Sequence, residues 1–292
     1  MAAIFHDVEV NGLTLRYARW SGIDRNGDRG PGGSKPPLLL SHATGFCAMV
    51  WRVVAESLVD RYDVYAFDRR GHGQSPEPST SSPSGYSLDF YAADTMAALD
   101  ELQLREVYAV GHSGGATELL IAAARRPDAI RRVVAIEPII APPAENAANS
   151  TNVMAERASR RRDRFASREA VVEAFGQRPP FDSWHPQAFE DYVDYGFAPH
   201  AEGGLVLCCP PRVEAAQFAS GGEFPVHTVL DQVSAPLLVL SGETSGPQFE
   251  MMAALAVEGV PDGRRETVAG TSHFVPMEQP EAVVQHVLEF DA

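Results

Sequence analysis

The apolar run Val107-Tyr108-Ala109-Val110 leads without a break into Gly111-His112-Ser113-Gly114-Gly115. An Ala/Leu-rich stretch, 116–125, follows until Pro127 stops it. A short apolar run of this kind suits a strand buried on both faces, and the stretch behind it has helical composition. Strand, tight turn and helix in that order commit this part of the chain to a β–α unit of a parallel sheet. Small residues on both sides of Ser113 let the backbone turn sharply without Cβ clashes. The pentapeptide fits G-x-S-x-G, in which a strained turn lifts a serine out of the sheet as a nucleophile. The helix start behind it aims free N–H groups and the positive end of a helix dipole at the same place. The plain alternative is a glycine-rich β–α turn with an N-capping serine, and the flanking strand and helix weigh against it.

The same alternation extends along the chain. Residues 4–10 and 13–20 alternate as strands around the hairpin signal Asn11-Gly12. Further strands are expected at 38–40, 62–67, 133–136, 237–240 and 265–268. Helices are expected at 51–59, 88–102, 248–257 and 281–290. Residues 21–37 and 79–85 read as surface loops, the first of them flexible. An antiparallel start followed by alternating strands and helices predicts a mostly parallel, doubly wound sheet of eight strands with helices on both faces. Between 138 and 230 no clean buried strand is visible, and Pro, aromatic residues and Arg abound. That stretch is too long for a loop and reads as a helical cap inserted over one edge of the sheet. The expected organisation is a core at 1–137, the cap at 138–230 and the rest of the core at 231–292.

Composition narrows the partners. A net charge of -15 argues against nucleic acid, whose phosphates repel an acidic surface. No apolar stretch approaches the ~18 residues of a membrane span, and the N-terminus lacks the basic and apolar regions of a signal peptide. The three cysteines, Cys47, Cys208 and Cys209, give no disulfide framework and no zinc spacing. A cytoplasmic protein is expected, as monomer or homodimer, with no metal or organic cofactor implied.

A serine needs a base to become a nucleophile. Among nine histidines, His273 in Gly270-Thr271-Ser272-His273-Phe274 stands out. It lies between the last strand and the last helix, in a loop at the same sheet end as Ser113, where ligand and catalytic groups gather. With these residues in place the chain resembles the α/β-hydrolase family over nearly its whole length outside the insertion. More narrowly it is similar to the capped branch with epoxide hydrolases, haloalkane dehalogenases and zearalenone-type lactonases. His42-Ala43-Thr44-Gly45-Phe46 corresponds to the family's His-Gly oxyanion motif, with Ala43 for the usual Gly, and Trp51 stands at the usual distance beyond it. Asp68-Arg69-Arg70-Gly71-His72-Gly73-Gln74-Ser75 matches D-x-R-G-x-G-x-S. The resemblance implies an oxyanion hole from the backbone N–H groups of Gly114 and Thr44. His42, Asp68 and His72 are read as bracing their loops.

The family's third triad member is a carboxylate, usually a few residues past the strand at 237–240, but here Ser245 occupies that place. The resemblance offers Glu137, directly after the strand at 133–136, where some capped members carry their acid. Glu243 remains the alternative, and capping of the first insertion helix is the structural reading of Glu137. Dehalogenases and epoxide hydrolases use an Asp nucleophile, whereas Ser113 suits attack on a carbonyl. The expected activity is hydrolysis of a small carboxylic ester or lactone through an acyl-enzyme by Ser113, His273 and Glu137. Rival readings are hydrolysis of a C–C bond or perhydrolysis on the same triad, and a non-catalytic ligand-binding member of the fold. Phe46 and Phe274, by position, and Trp184 and Tyr192, in the insertion, are candidate substrate contacts; aromatics so spaced also serve as cap core. The basic run from Arg157 to Arg164 reads as a solvated helix face or as an entrance attracting an anionic substrate.

Overall fold

The computed structural model describes residues 2–21, 35–78, 83–141, 150–220 and 224–292. Most of the expected loop at 21–37, positions 79–82 of that at 79–85 and positions 142–149 of the insertion lie outside the described residues.

Strands β1 (Ile4–Val10) and β2 (Leu13–Trp20) form an antiparallel hairpin. Its turn residues Asn11 and Gly12 have φ of 48° and 77°, the double left-handed geometry that Asn-Gly tolerates best. Then come β3 (Pro37–Ser41), α1 (Arg52–Leu58), β4 (Asp63–Phe67), α2 (Leu88–Glu101), β5 (Val107–His112), α3 (Gly114–Arg125) and β6 (Ile130–Ile136). The insertion holds α4 (Ser150–Ser159), β7 (Arg164–Phe165), α5 (Arg168–Phe175), α6 (Pro186–Tyr195), β8 (Phe197–Pro199), β9 (Leu205–Leu207) and α7 (Pro211–Ser220). The chain closes with β10 (Leu237–Gly242), α8 (Pro247–Gly259), β11 (Gly263–Val268), α9 (Val275–Glu278) and α10 (Pro280–Phe290). Eight strands form one sheet in the order β1-β2-β4-β3-β5-β6-β10-β11, antiparallel through β1, β2 and β4 and parallel from there on.

Successive strand residues explain why helices lie on both faces. Leu38, Leu40, Tyr108, Val110, Val134, Ile136, Leu238 and Leu240 join one apolar cluster, with Val54 and Leu58 of α1 and Val283 and Val287 of α10. Their neighbours Leu39, Val107, Ala109, Val133, Ala135, Leu237 and Val239 join the other, with Leu99 of α2, Leu119 of α3 and Ala256 of α8. Because side chains alternate across a strand, a strand must be apolar throughout to serve two such cores. Truncating one of these fully buried leucines to Ala would cost about 2–5 kcal/mol.

The insertion departs from its expected all-helical character. It contains a three-stranded antiparallel sheet in the order β7-β9-β8. These strands are two or three residues long, too short for an alternating pattern to show. The one available signal was Gly203-Gly204, whose positive φ values of 93° and 76° make the turn between β8 and β9. Several aromatic residues of the insertion, among them Trp184, Tyr192 and Phe197, pack into the same apolar cluster as α1 and α10. No helix among the described residues is long and apolar enough to cross a membrane.

Candidate active site

The ends of β5, β6, β10 and β11 set the site. In the β5–β6 ladder His112 pairs with Ile136, so Ser113 and Glu137 are the next residues of each strand. The β5–β6 ladder runs one step further, Ser113 N–H donating to the Ile136 carbonyl at 2.8 Å, and so does that between β6 and β10, Glu137 N–H donating to the Leu240 carbonyl at 2.9 Å. Both residues then leave the sheet with positive φ, 54° at Ser113 and 51° at Glu137. Non-glycine residues rarely adopt such backbone, and they cluster at functional sites. The tight turn after Ser113 depends on close backbone approach. A Cβ on Gly115 would stand 2.5 Å from the His42 carbonyl oxygen, and one on Gly111 would stand 2.6 Å from Ala116 Cα. Gly114 opens α3, so its N–H has no carbonyl of that helix to bond.

The Glu137 carboxylate is buried and each oxygen has its own donor. Oε1 accepts the N–H of Gly242 at 2.7 Å, and Oε2 accepts Nδ1–H of His273 at 3.1 Å. With the proton on Nδ1, Nε2 of His273 is left as the basic nitrogen. Glu243 lies elsewhere: it is exposed, and its carboxylate accepts the Gly270 N–H at 2.8 Å. The Ser245 and Ser241 hydroxyls are shielded from solvent without a hydrogen-bond partner. Glu137 does not cap the first insertion helix; its side chain is spent on Gly242 and His273.

The loop bearing His273 is pinned on several sides. Glu278 accepts the N–H of Ser272 at 2.6 Å and its hydroxyl at 2.8 Å. His112 Nε2 donates to the His273 carbonyl at 2.7 Å. Burial, with the charge His273 can carry beside it, holds His112 well below the usual histidine range, so it stays neutral. Phe249 of α8 stacks on the imidazole, with ring centroids 4.3 Å apart. Among the described residues no hydrogen bond joins the Ser113 hydroxyl to His273, whose Nδ1 faces Glu137.

On the other side of Ser113 lies the loop of His42 to Phe46. His42 is neutral: burial first, then His72 and Arg69, push it well below its ordinary value. Its Nδ1–H donates to the Ala43 carbonyl at 2.8 Å, and its Nε2 accepts the Arg69 N–H at 3.1 Å. Asp68 accepts the N–H groups of Ala48 and Gln74 at 2.7 and 2.9 Å. His72 Nδ1 donates to the Arg70 carbonyl at 3.0 Å. Thr44, between these braces, lies beside Gly114: a Cβ on Gly114 would be 3.1 Å from Thr44 Oγ1.

Of the aromatic candidates, Phe46 packs its ring 5.3 Å from both Trp184 and Tyr192 and 6.1 Å from Phe274. Phe46, Trp184 and Tyr192 are buried, while Phe274 is half-buried beside His273. They form one cluster that joins the loop of His42 to Phe46, the His273 loop and the insertion. The basic run divides. Arg160 pairs with Glu156 and Arg164 with Glu202, all exposed. Arg161 turns inward, donating to Glu214 at 2.9 Å and to the Tyr192 hydroxyl at 2.6 Å. Its Nη1 would be 3.4 Å from a Cβ on Gly45.

Residues that sequence reasoning missed are Phe249, the Arg69–Glu118 pair (2.7 Å, both buried) and Gln217. None carries a local signal; only His112, lying within G-x-S-x-G, could have been singled out. Among the described residues no group of three or more His, Cys, Asp or Glu side chains could hold a metal ion.

Known proteins place this geometry in context. Residues 36–202 match the family described as alpha/beta hydrolase fold. The chain is 31% identical to 2-(acetamidomethylene)succinate hydrolase of Mesorhizobium japonicum over 266 residues, 88% of each chain. It is 25% identical to 3-oxoadipate enol-lactonase 2 of Acinetobacter baylyi over 293 aligned positions, 98% of this chain and 97% of the other. Among solved structures, that of E-2-(acetamidomethylene)succinate hydrolase superposes with a TM-score of 0.83 at 27% identity, covering 100% of both chains.

Proposed function

The chain belongs to the alpha/beta hydrolase fold family, and from that premise we propose that it is a serine hydrolase cleaving a small carboxylic ester or lactone through an acyl-enzyme. The observation that carries the reading is the buried Glu137 carboxylate on His273 Nδ1, one strand away from a serine held at positive φ. The two relatives that span most of the chain are named as hydrolases, one of them a lactonase, which supports hydrolytic activity.

In this reading Ser113 Oγ attacks the carbonyl carbon while His273 Nε2 takes its proton. Glu137 stabilises the imidazolium that forms and keeps the ring in the required tautomer. The N–H groups of Gly114 and Thr44 hold the oxyanion; losing one such donor costs about 3–4 kcal/mol in the barrier. The imidazolium then protonates the leaving oxygen, and water, activated by the same nitrogen, releases the acid.

Two relatives, aligned over 88% and 98% of the chain, carry the dicarboxylates succinate and oxoadipate in their names, which supports a small carboxylate-bearing acyl compound as substrate. Arg161 does not supply a free cation for it, since its guanidinium is paired with Glu214 and the Tyr192 hydroxyl. The name of the first relative also supports a second reading, in which the acyl group is carried on nitrogen. A panel of esters, lactones of several ring sizes and N-acyl compounds, each with and without a free carboxylate, tests the proposal. Turnover is expected with carboxylate-bearing esters or lactones, at a higher kcat/KM than with their uncharged counterparts. Folded protein that hydrolyses none of the three classes would instead favour a binding role.

A further inference from the structure

We propose that Gln217, supplied by the insertion helix α7, is a positioning residue for the oxyanion hole, acting by clamping Arg69 and Thr44 around Gly114. The inference rests on the reading of Ser113, Gly114 and Thr44 given above. Gln217 is 4% exposed, so its amide must find its partners inside the protein. The hydrogen-bond network orients that amide. Its oxygen accepts from Arg69 Nη2 at 3.0 Å and Nη1 at 3.2 Å and from Thr44 Oγ1 at 3.1 Å, and its nitrogen lies 3.2 Å from the same hydroxyl.

Arg69 is itself fixed from other directions. Its Nε donates to Glu118 Oε2 at 2.7 Å, its backbone N–H to His42, and its guanidinium lies 4.0 Å over the Tyr91 ring. Glu118 in turn accepts the Ser41 hydroxyl at 2.6 Å. The Nε edge of the guanidinium therefore faces its counter-ion, and the Nη groups face Gln217 and Gly114. A Cβ on Gly114 would stand 3.1 Å from Thr44 Oγ1, 3.2 Å from the Gln217 amide and 3.5 Å from Arg69 Nη1. Three polar side chains thus converge on the residue whose N–H is assigned to the oxyanion. A buried ion pair aimed in this way is a fixed dipole with its positive end toward developing negative charge, and it needs no reorganisation during the reaction. Gln217 is neutral, so it holds both partners without cancelling that charge. The insertion then contributes to the chemistry as well as covering it.

The experiment compares Gln217→Glu and Gln217→Leu with the wild type, measuring kcat, KM and Tm on the best ester or lactone of the panel, with Ser113→Ala in parallel. Glutamate keeps the shape and the bonds from Arg69 and Thr44, so a structural role would be preserved. Its charge would oppose the oxyanion, and kcat is expected to fall about 100-fold at unchanged KM, while the buried carboxylate lowers Tm. The leucine variant is expected to lose about tenfold in kcat, as one hydrogen-bonded support is removed. Wild-type kcat in Gln217→Glu overturns the inference. If the glutamate variant does not fold, Gln217→Met decides: a kcat loss at unchanged KM supports the inference, and wild-type kcat overturns it. Full turnover by Ser113→Ala would overturn the underlying reading instead, whereas an inactive Ser113→Ala beside a fully active Gln217→Glu overturns this inference alone.

Discussion

Replacing Glu137 by Gln changes few atoms yet removes what the site needs from that position. The carboxylate presents one oxygen to Gly242 N–H at 2.7 Å and the other to His273 Nδ1–H at 3.1 Å. An amide has a single oxygen, so one of the two donors must face an NH2 group. If the oxygen stays on Gly242, the imidazole is driven to the tautomer with its proton on Nε2, and it can no longer accept one from Ser113. If the oxygen turns to His273, Gly242 is left unpaired and the imidazolium still lacks its counter-charge. At 3.1 Å and an effective dielectric of about 20, that charge interaction amounts to at most about 5 kcal/mol. The expected loss in kcat is therefore roughly 1,000- to 10,000-fold. Folding should survive, since one unpaired buried donor costs about 1–3 kcal/mol. Steady-state kinetics beside a thermal melt would read both quantities, with Glu243→Gln as the control, expected within about threefold of wild type because its carboxylate bonds only loop backbone. A Glu137→Gln protein retaining a tenth of the wild-type kcat, or a Glu243→Gln protein losing most of it, would refute the assignment.

Two other consequences can be checked with single variants. Phe249→Leu removes the ring stacked 4.3 Å from His273; an aromatic pair is worth about 0.5–1.5 kcal/mol, so kcat should fall about 2- to 10-fold at unchanged KM, and an unchanged kcat would assign Phe249 to packing alone. Burial raises the Asp68 carboxyl from 3.8 to about 6, so its protonated form favours the folded state. That stability is fully present below about pH 4 and is lost as pH rises toward about 6, by up to about 3 kcal/mol. Denaturant unfolding of the wild type and Asp68→Asn across pH 4–8 should show the wild type losing ground over that interval and no further above pH 7. A difference that is flat with pH would contradict the burial cost.

What the sequence discloses depends on whether a feature is local. Strands such as 237–240 are visible because both their faces are buried and the run is wholly apolar. Ser113 is visible because the tight turn that carries it requires glycine on both sides. His273 follows from its place between the last strand and the last helix. Gln217, Phe249 and Glu118 could not be found that way, since each is an ordinary helix residue whose partners lie far along the chain. The two- and three-residue strands of the insertion were hidden because period two cannot show in so short a segment. Arg161 was legible as part of a basic run, but Arg160 and Arg164 stay at the surface while it reaches Gly45 in the loop of His42 to Phe46.

The central claim is that Ser113 is the nucleophile of an acyl transfer. Treating the folded protein with a fluorophosphonate and locating the adduct by peptide mass spectrometry tests it directly. The account predicts rapid stoichiometric labelling on Ser113, absent in Ser113→Ala and slowed in Glu137→Gln to a similar degree as turnover. Accessible, folded protein that remains unlabelled, or that carries the adduct on a residue other than Ser113, would contradict it.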